Sequence, residues 1–288
     1  MPAGGPCRKK LPFAVCALCA AALSVASAAD GGAAQTALAR IHAKAEADVE
    51  TAYWARGAIV DKRPFSAQSA DLSADLAPFG YVGGYAWSVS SMARSGQSAA
   101  RRNAYNEVDY GVYCGYALEF AEGWTLDSTV AKKWVTLPGY RPHAHTISEW
   151  NFSQALRNPF VTPYYLLRRA VDGQEWCYWD VGLERGWTLT ERLTLTARVF
   201  GELGDARHFR AQYGANPNAA DGAYSHGLMA LNLLLRLDYA VTDNLSVFAF
   251  VHQFDIVASD ARDALDASSA PESVKDLTIG GVGLTLKF

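Results

Sequence analysis

The sequence predicts an all-β fold: a single antiparallel transmembrane β-barrel of about twelve strands, with short turns at one end and longer loops at the other. Three observations predict it. Long segments alternate apolar and polar residues with period two, as a strand does when one face meets lipid and the other a polar interior. The joints between these segments are alternately short and long. The composition is that of strands and turns, with 24 Gly, 14 Tyr, 12 Phe and 8 Trp but only 3 Met in 288 residues. Charge is nearly balanced, with 26 Lys+Arg against 29 Asp+Glu. That balance lacks the basic excess of a nucleic-acid-binding surface, so no nucleic-acid partner is expected.

The first segment is an address. Arg8, Lys9 and Lys10 precede an apolar stretch from Leu11 to Val25, and Ala26-Ser27-Ala28 supplies a small-residue cleavage pattern. Residues 1–28 therefore read as a secretory signal peptide. Pro12 and the small-residue end argue against a retained anchor. Cleavage removes Cys7, Cys16 and Cys19 and leaves a more acidic chain with Cys114 and Cys177. These two belong to strands expected to lie far apart, so they are read as small apolar side chains, not as a disulfide. Elsewhere no segment approaches the ~18 uninterrupted apolar residues of a membrane helix. Residues 29–47 are Ala-rich, with Leu38, Ile41 and Ala45 at helical spacing, and are expected to form a periplasmic lead-in to a barrel over 48–288.

The strongest strand runs from Val108 to Phe120. Val108, Tyr110, Val112, Cys114, Tyr116, Leu118 and Phe120 share one face, and Glu107, Asp109, Gly111, Tyr113, Gly115, Ala117 and Glu119 the other. This exceeds the ~9–11 residues that a tilted strand needs inside hydrocarbon. The same signature recurs at Leu193–Val199, Met229–Tyr239 and Val282–Phe288. The expected strands are Asp48–Ile59, Gln68–Leu76, Gly80–Met92, Tyr105–Phe120, Trp124–Val135, Thr146–Gln154, Val161–Ala170, Glu175–Trp187, Arg192–Leu203, Gly227–Val241, Leu245–Ile256 and Lys275–Phe288. An even number puts both termini on one side. Alternation is weak in the first, second and seventh segments, which leaves ten or fourteen strands open.

The joints fit this reading. Ala121-Glu122-Gly123, Thr188 to Glu191 and Thr242-Asp243-Asn244 are short. Ser95 to Asn103, Leu137 to His145, Gly204 to Ser225 and Val257 to Val274 are long and polar, whereas Val171 to Gln174 is short where length is expected. Phe120, Trp124, Trp187, Tyr239 and Phe288 cluster beside the short turns, where an aromatic girdle belongs.

The terminal run Val282-Gly283-Leu284-Thr285-Leu286-Lys287-Phe288 resembles the end of a bacterial outer-membrane β-barrel. The resemblance implies a Gram-negative outer-membrane location. It also implies that Phe288, with Leu286 and Leu284, is the signal read by the barrel-assembly machinery. Tyr53-Trp54-Ala55-Arg56-Gly57, Lys62-Arg63-Pro64, Gln68 and Phe79-Gly80-Tyr81-Val82-Gly83-Gly84-Tyr85-Ala86-Trp87 resemble a family of small porins of unassigned function. That resemblance brings no catalytic residues with it.

If the apolar faces meet lipid, the opposite faces line a lumen. Pairing across the short turns sets Lys133 opposite Gly111 and diagonal to Asp109, and Arg198 opposite Gly182 with Asp180 and Glu184 as diagonals. Arg236 and Asp238 fall inside beside Phe248, Phe250 and His252. The inferred lining is acidic on balance: Glu107, Asp109, Glu119, Asp127, Glu149, Asp180, Glu184, Glu202 and Asp238 against Lys133, Arg198, Arg236 and Lys287. These charges fit a water-filled, cation-favouring pore for small hydrophilic solutes or ions, with Arg198 and Arg236 its critical cations. They also fit ion pairs that fill a narrow, non-conducting barrel whose loops bind lipopolysaccharide or a partner. A third reading, a barrel-embedded hydrolase, has rim candidates in His143, His145, Ser148, Ser225 and His226, but adjacent Ser225 and His226 point to opposite faces of a strand. No enzyme activity and no cofactor are expected. Nor is a metal, because His143-x-His145 has no third ligand nearby. Arg101-Arg102 and Arg207-His208-x-Arg210 suit lipopolysaccharide phosphates. Lys132 breaks a lipid-facing row where it can snorkel to the outer headgroups, with Trp134 beside it.

Overall fold

The computed structural model describes residues 41–55, 58–61, 63–76, 79–92, 106–137, 145–172, 175–267 and 274–288. The signal-peptide reading of 1–28 and the joint Ser95 to Asn103 lie outside these residues, as does nearly all of the joint Leu137 to His145. In chain order the strands are β1 (Ile41–Glu50), β2 (Tyr53–Ala55), β3 (Ala58–Asp61), β4 (Phe65–Asp75), β5 (Tyr81–Ser91), β6 (Asn106–Ala121), β7 (Trp124–Leu137), β8 (His145–Arg157), β9 (Thr162–Ala170), β10 (Cys177–Thr190), β11 (Leu193–Gly204), β12 (Gly227–Ala240), β13 (Leu245–Ile256) and β14 (Asp276–Lys287). All except β2 and β3 join in one closed antiparallel barrel, each beside its sequence neighbour, with β14 returning to β1. Closure leaves no exposed strand edge, as a barrel in lipid requires.

Twelve barrel strands match the expected number, but the first is a different segment. Residues 41–47 belong to the first barrel strand, so the boundary at 48 is corrected; the rest of the expected lead-in, 29–40, lies outside the described residues. Spacing at Leu38, Ile41 and Ala45 suggests a helix. The same stretch also alternates strictly, with His42, Lys44, Glu46, Asp48 and Glu50 on one face and Ala43, Ala45, Ala47 and Val49 on the other. Ladders on both sides, to β14 and β4, decide between the two patterns. Local propensity is a weak prior against such tertiary pairing. Residues 53–59, read as the end of the first strand, instead fall in the β2–β3 hairpin, which runs to Asp61.

The expected faces hold. Tyr110, Val112, Tyr116, Leu118 and Phe120 of β6 point outward and are exposed, whereas Glu107 and Asp109 point inward and are buried. Two inward glycines keep aromatic rings flat on the wall. A Cβ on Gly115 would lie 2.3 Å from the Tyr81 ring, and one on Gly281 2.3 Å from the Phe250 ring.

The long joints fall at one end, which barrel convention makes the outer one. Two of them carry helices, α1 (Ala206–Tyr213) and α2 (Ser259–Ala267). Asp205 caps α1 by accepting from the His208 backbone N–H at 2.7 Å, and Gly214 follows its last turn at positive φ. Such caps satisfy the orphan groups of a helix end. Both helices bury one side against inward residues of β10, β12 and β13, among them Tyr178, Met229, Phe254 and Ile256. Burial in this cap pushes the Tyr213 hydroxyl pKa up.

Candidate functional site

Each inward row of charge is set by the period-two geometry of its strand. In the outer half, Lys133 on β7 donates to Asp109 on β6 at 2.8 Å and lies 3.4 Å from Glu149 on β8. The side chains of this triad are 12%, 9% and 0% exposed. The register agrees with the sequence expectation, with Lys133 opposite Gly111.

Arg198 sits differently from its expected place. It faces Glu184 directly, whereas Gly182 faces Phe200. The pairing is offset by two residues from that expectation, with Trp187 opposite Leu195, because the strands run on to a Thr190–Leu193 pair, with a one-residue irregularity between Thr188 and Thr190. Arg198 Nε donates to Glu184 at 2.8 Å, and the guanidinium lies over Tyr164. Asp180 is held by a residue the sequence did not single out, Arg168 on β9, at 2.8 Å. Arg168 also covers the ring of Tyr178, whose hydroxyl donates to the buried Glu202 at 2.5 Å.

Arg236 on β12 ties three other strands together. It donates to Glu46 on β1 at 3.0 Å, to Asp238 at 2.9 Å and to Thr285 on β14 at 3.2 Å, and lies 3.7 Å over the Phe248 ring on β13. Glu46 was missed because its segment was read as a lead-in. Asp48 and Glu50, inside the expected first strand, were also left off the lining list, and Asp71 on β4, which accepts from Tyr113 at 2.8 Å, adds another acid. The structure thus adds four acids to the lining together with the cations Lys44, Arg157 and Arg168, which pair with Glu46, Asp127 and Asp180.

The two halves of the lumen differ in solvent access. Glu107, Glu149, Glu202, Asn232 and His252 in the outer half are buried. Nearer the short turns, Arg198 and Glu184 are 41% and 33% exposed, and Arg236 and Asp238 are 24% and 28% exposed. Because these side chains point inward, their exposure is to lumen water.

The β2–β3 hairpin crosses the outer half. Neighbouring residues of an extended segment point to opposite sides, and here those sides are opposite walls. Tyr53 packs against Phe65 and Trp87, and its hydroxyl donates to Glu107 at 3.3 Å. Trp54 meets His252 edge-on at 4.7 Å and packs near Phe200 and Phe254. Sequence reasoning missed this strap, although Tyr53-Trp54 followed by Gly57 is a turn signal inside a supposed strand.

Of the assembly residues, Leu284 and Leu286 face outward. Phe288 exchanges two 2.9 Å backbone hydrogen bonds with Ala43 at the β1–β14 seam. Of the hydrolase candidates, Ser148 is buried on the outward side of β8, and Ser225 and His226 are exposed. His143, the His145 side chain, Arg101 and Arg102 lie outside the described residues. Cys114 and Cys177 are free thiols.

No protein-family model matches the chain, and no curated protein sequence does. Among solved structures, the fold is similar to a COG4313 outer-membrane channel from Pseudomonas putida F1, with 12% identity over 86% of this chain and 96% of that one, at a TM-score of 0.54. A KdgM porin shares 8% identity over 86% and 99% of the two chains at 0.43, and the Escherichia coli outer-membrane phospholipase A shares 14% over 88% and 96% at 0.47. The chain has the fold of the bacterial outer-membrane β-barrels, a twelve-stranded closed sheet with an exposed apolar outer face.

Proposed function

We propose that the protein is an outer-membrane channel for small hydrophilic solutes, favouring cations, with its path narrowed at the outer half by the Tyr53–Trp54 hairpin. One observation carries the reading: charged side chains reach water inside the periplasmic half of a closed barrel, Arg198 with Glu184, and Arg236 with Asp238 and Glu46. Side chains that merely filled the barrel would be buried there as they are in the outer half. A lining with excess carboxylate raises the local concentration of cations. Arg198 and Arg236 set the transverse field, facing Glu184 and the Glu46–Asp238 pair respectively.

The test is the reversal potential of the purified barrel in a planar bilayer under a salt gradient. Discrete conductance with cation preference is expected. Anion preference would defeat the assignment of the lining. A second reading, a non-conducting barrel, is favoured by the aromatic filling around Trp54, Tyr178 and Phe254. A silent bilayer containing inserted, folded protein would select it.

A further inference from the structure

The outward face of the barrel carries a feature that the lumen does not explain. Lys132 on β7 and Arg169 on β9 both point to lipid, on either side of Trp150 on β8: the register runs Val112, Lys132, Trp150, Arg169, Cys177 across five strands. Among the described residues neither cation has a carboxylate within ion-pair distance, unlike Lys133 and Arg168 beside them, which face inward and are paired. An Arg or Lys on the lipid face is costly at the bilayer midplane and tolerated near the interface. Their depth is the interfacial one. Arg169 is one residue from the outer end of β9, and Lys132 lies eight residues beyond Trp124, roughly 26 Å along a tilted strand.

The surroundings are those of a headgroup site. The Lys132 ammonium lies 5.1 Å from the Trp150 ring centre and 6.0 Å from that of Trp134, which stacks on Tyr110. These rings fix the ammonium at the interface and leave its charge unneutralised. One pleat toward the periplasm, an apolar groove opens on the same wall, lined by Cys114, Tyr116, Val130, Phe152 and Tyr165. Two unpaired cations on strands about 10 Å apart above an apolar groove complement a lipid with a phosphorylated headgroup and acyl chains. At the outer end of this barrel, that lipid is the phosphorylated glycolipid of the outer leaflet.

We propose that Lys132 and Arg169, with Trp150 between them, bind the phosphates of an outer-leaflet glycolipid of the lipopolysaccharide class, whose acyl chain lies along the Val130–Phe152 groove. The test is native mass spectrometry of the delipidated barrel titrated with bisphosphorylated lipid A, with dephosphorylated lipid A and phosphatidylglycerol in parallel. Lipid A should bind best. The Lys132→Ala/Arg169→Ala variant should bind it on the order of tenfold more weakly or worse, while Lys132→Arg keeps binding. Heat-modifiable gel mobility reports folding of each variant, and Lys132→Gln/Arg169→Gln replaces the alanine pair should that fail to fold. Undiminished binding by a folded double variant would overturn the proposal. So would equal binding of the dephosphorylated lipid, or of phosphatidylglycerol.

Discussion

Replacing Lys133 and replacing Arg198 with alanine are chemically similar changes that should have opposite consequences. Lys133 is 12% exposed, and its partners Asp109 and Glu149 are 9% and 0% exposed. Removing it leaves two carboxylates in a water-poor layer without the cation that faces both. Breaking a buried pair by removing one partner costs about 3–5 kcal/mol. Arg198 and Glu184 are 41% and 33% exposed, so water screens and resolvates whichever partner remains, and the loss should be about 1 kcal/mol or less. Urea unfolding in lipid vesicles, followed by tryptophan fluorescence, measures both. A gap of roughly 2–4 kcal/mol is expected, with Lys133→Ala the weaker protein. Reversal potentials should rank the pair the other way, since Arg198 faces water that ions traverse. Equal unfolding costs, or a larger cost at Arg198, would refute the division of the lumen into a filled outer half and a wet inner half.

Other expectations follow from the same geometry. Arg236→Ala unpairs Asp238 and leaves Glu46 with Lys44 as its cation, and bilayer reversal potentials should move toward stronger cation preference. Gly281→Ala places a methyl 2.3 Å from the Phe250 ring, which must lift off the wall. Single-channel conductance should fall, with a stability loss of about 1–3 kcal/mol by urea titration. Tyr53→Phe removes the hydrogen bond to Glu107 and should raise the open fraction in bilayer records by loosening the hairpin. Deleting Phe288 removes two backbone hydrogen bonds at the β1–β14 seam and the proposed assembly signal, so the yield of heat-modifiable folded barrel should drop.

What the sequence shows depends on how strictly each strand alternates. Residues 106–121 alternate over the whole width of the membrane, so their inward acids and the Asp109–Lys133 contact were legible. Arg198 was placed two residues out because β10 runs on past Trp187 to Thr190, with a one-residue irregularity at Thr188–Thr190 that the local sequence does not signal. Arg168 was missed because β9 places Tyr164 and Leu166 inward and Tyr165 and Leu167 outward, which hides the sidedness that periodicity reports. The entry strand was obscured by alanines, which suit a helix and also the small outward face of β1. Helix α1 had a readable signal in Asp205 and Gly214 at its two ends, with eight residues between them, set inside what otherwise looked like a polar loop. Nothing in the local sequence says that Tyr53 and Trp54 turn into the lumen, because their partners lie on β4, β5, β6, β11 and β13.

The most direct test of a channel narrowed from within is single-channel conductance of the wild type beside the Tyr53→Ala/Trp54→Ala variant, in the same bilayer and salt. A lumen crossed by these two side chains predicts small, discrete, cation-selective steps from the wild type and clearly larger steps from the variant. Identical conductance, or silence from both with folded barrel inserted, would contradict it.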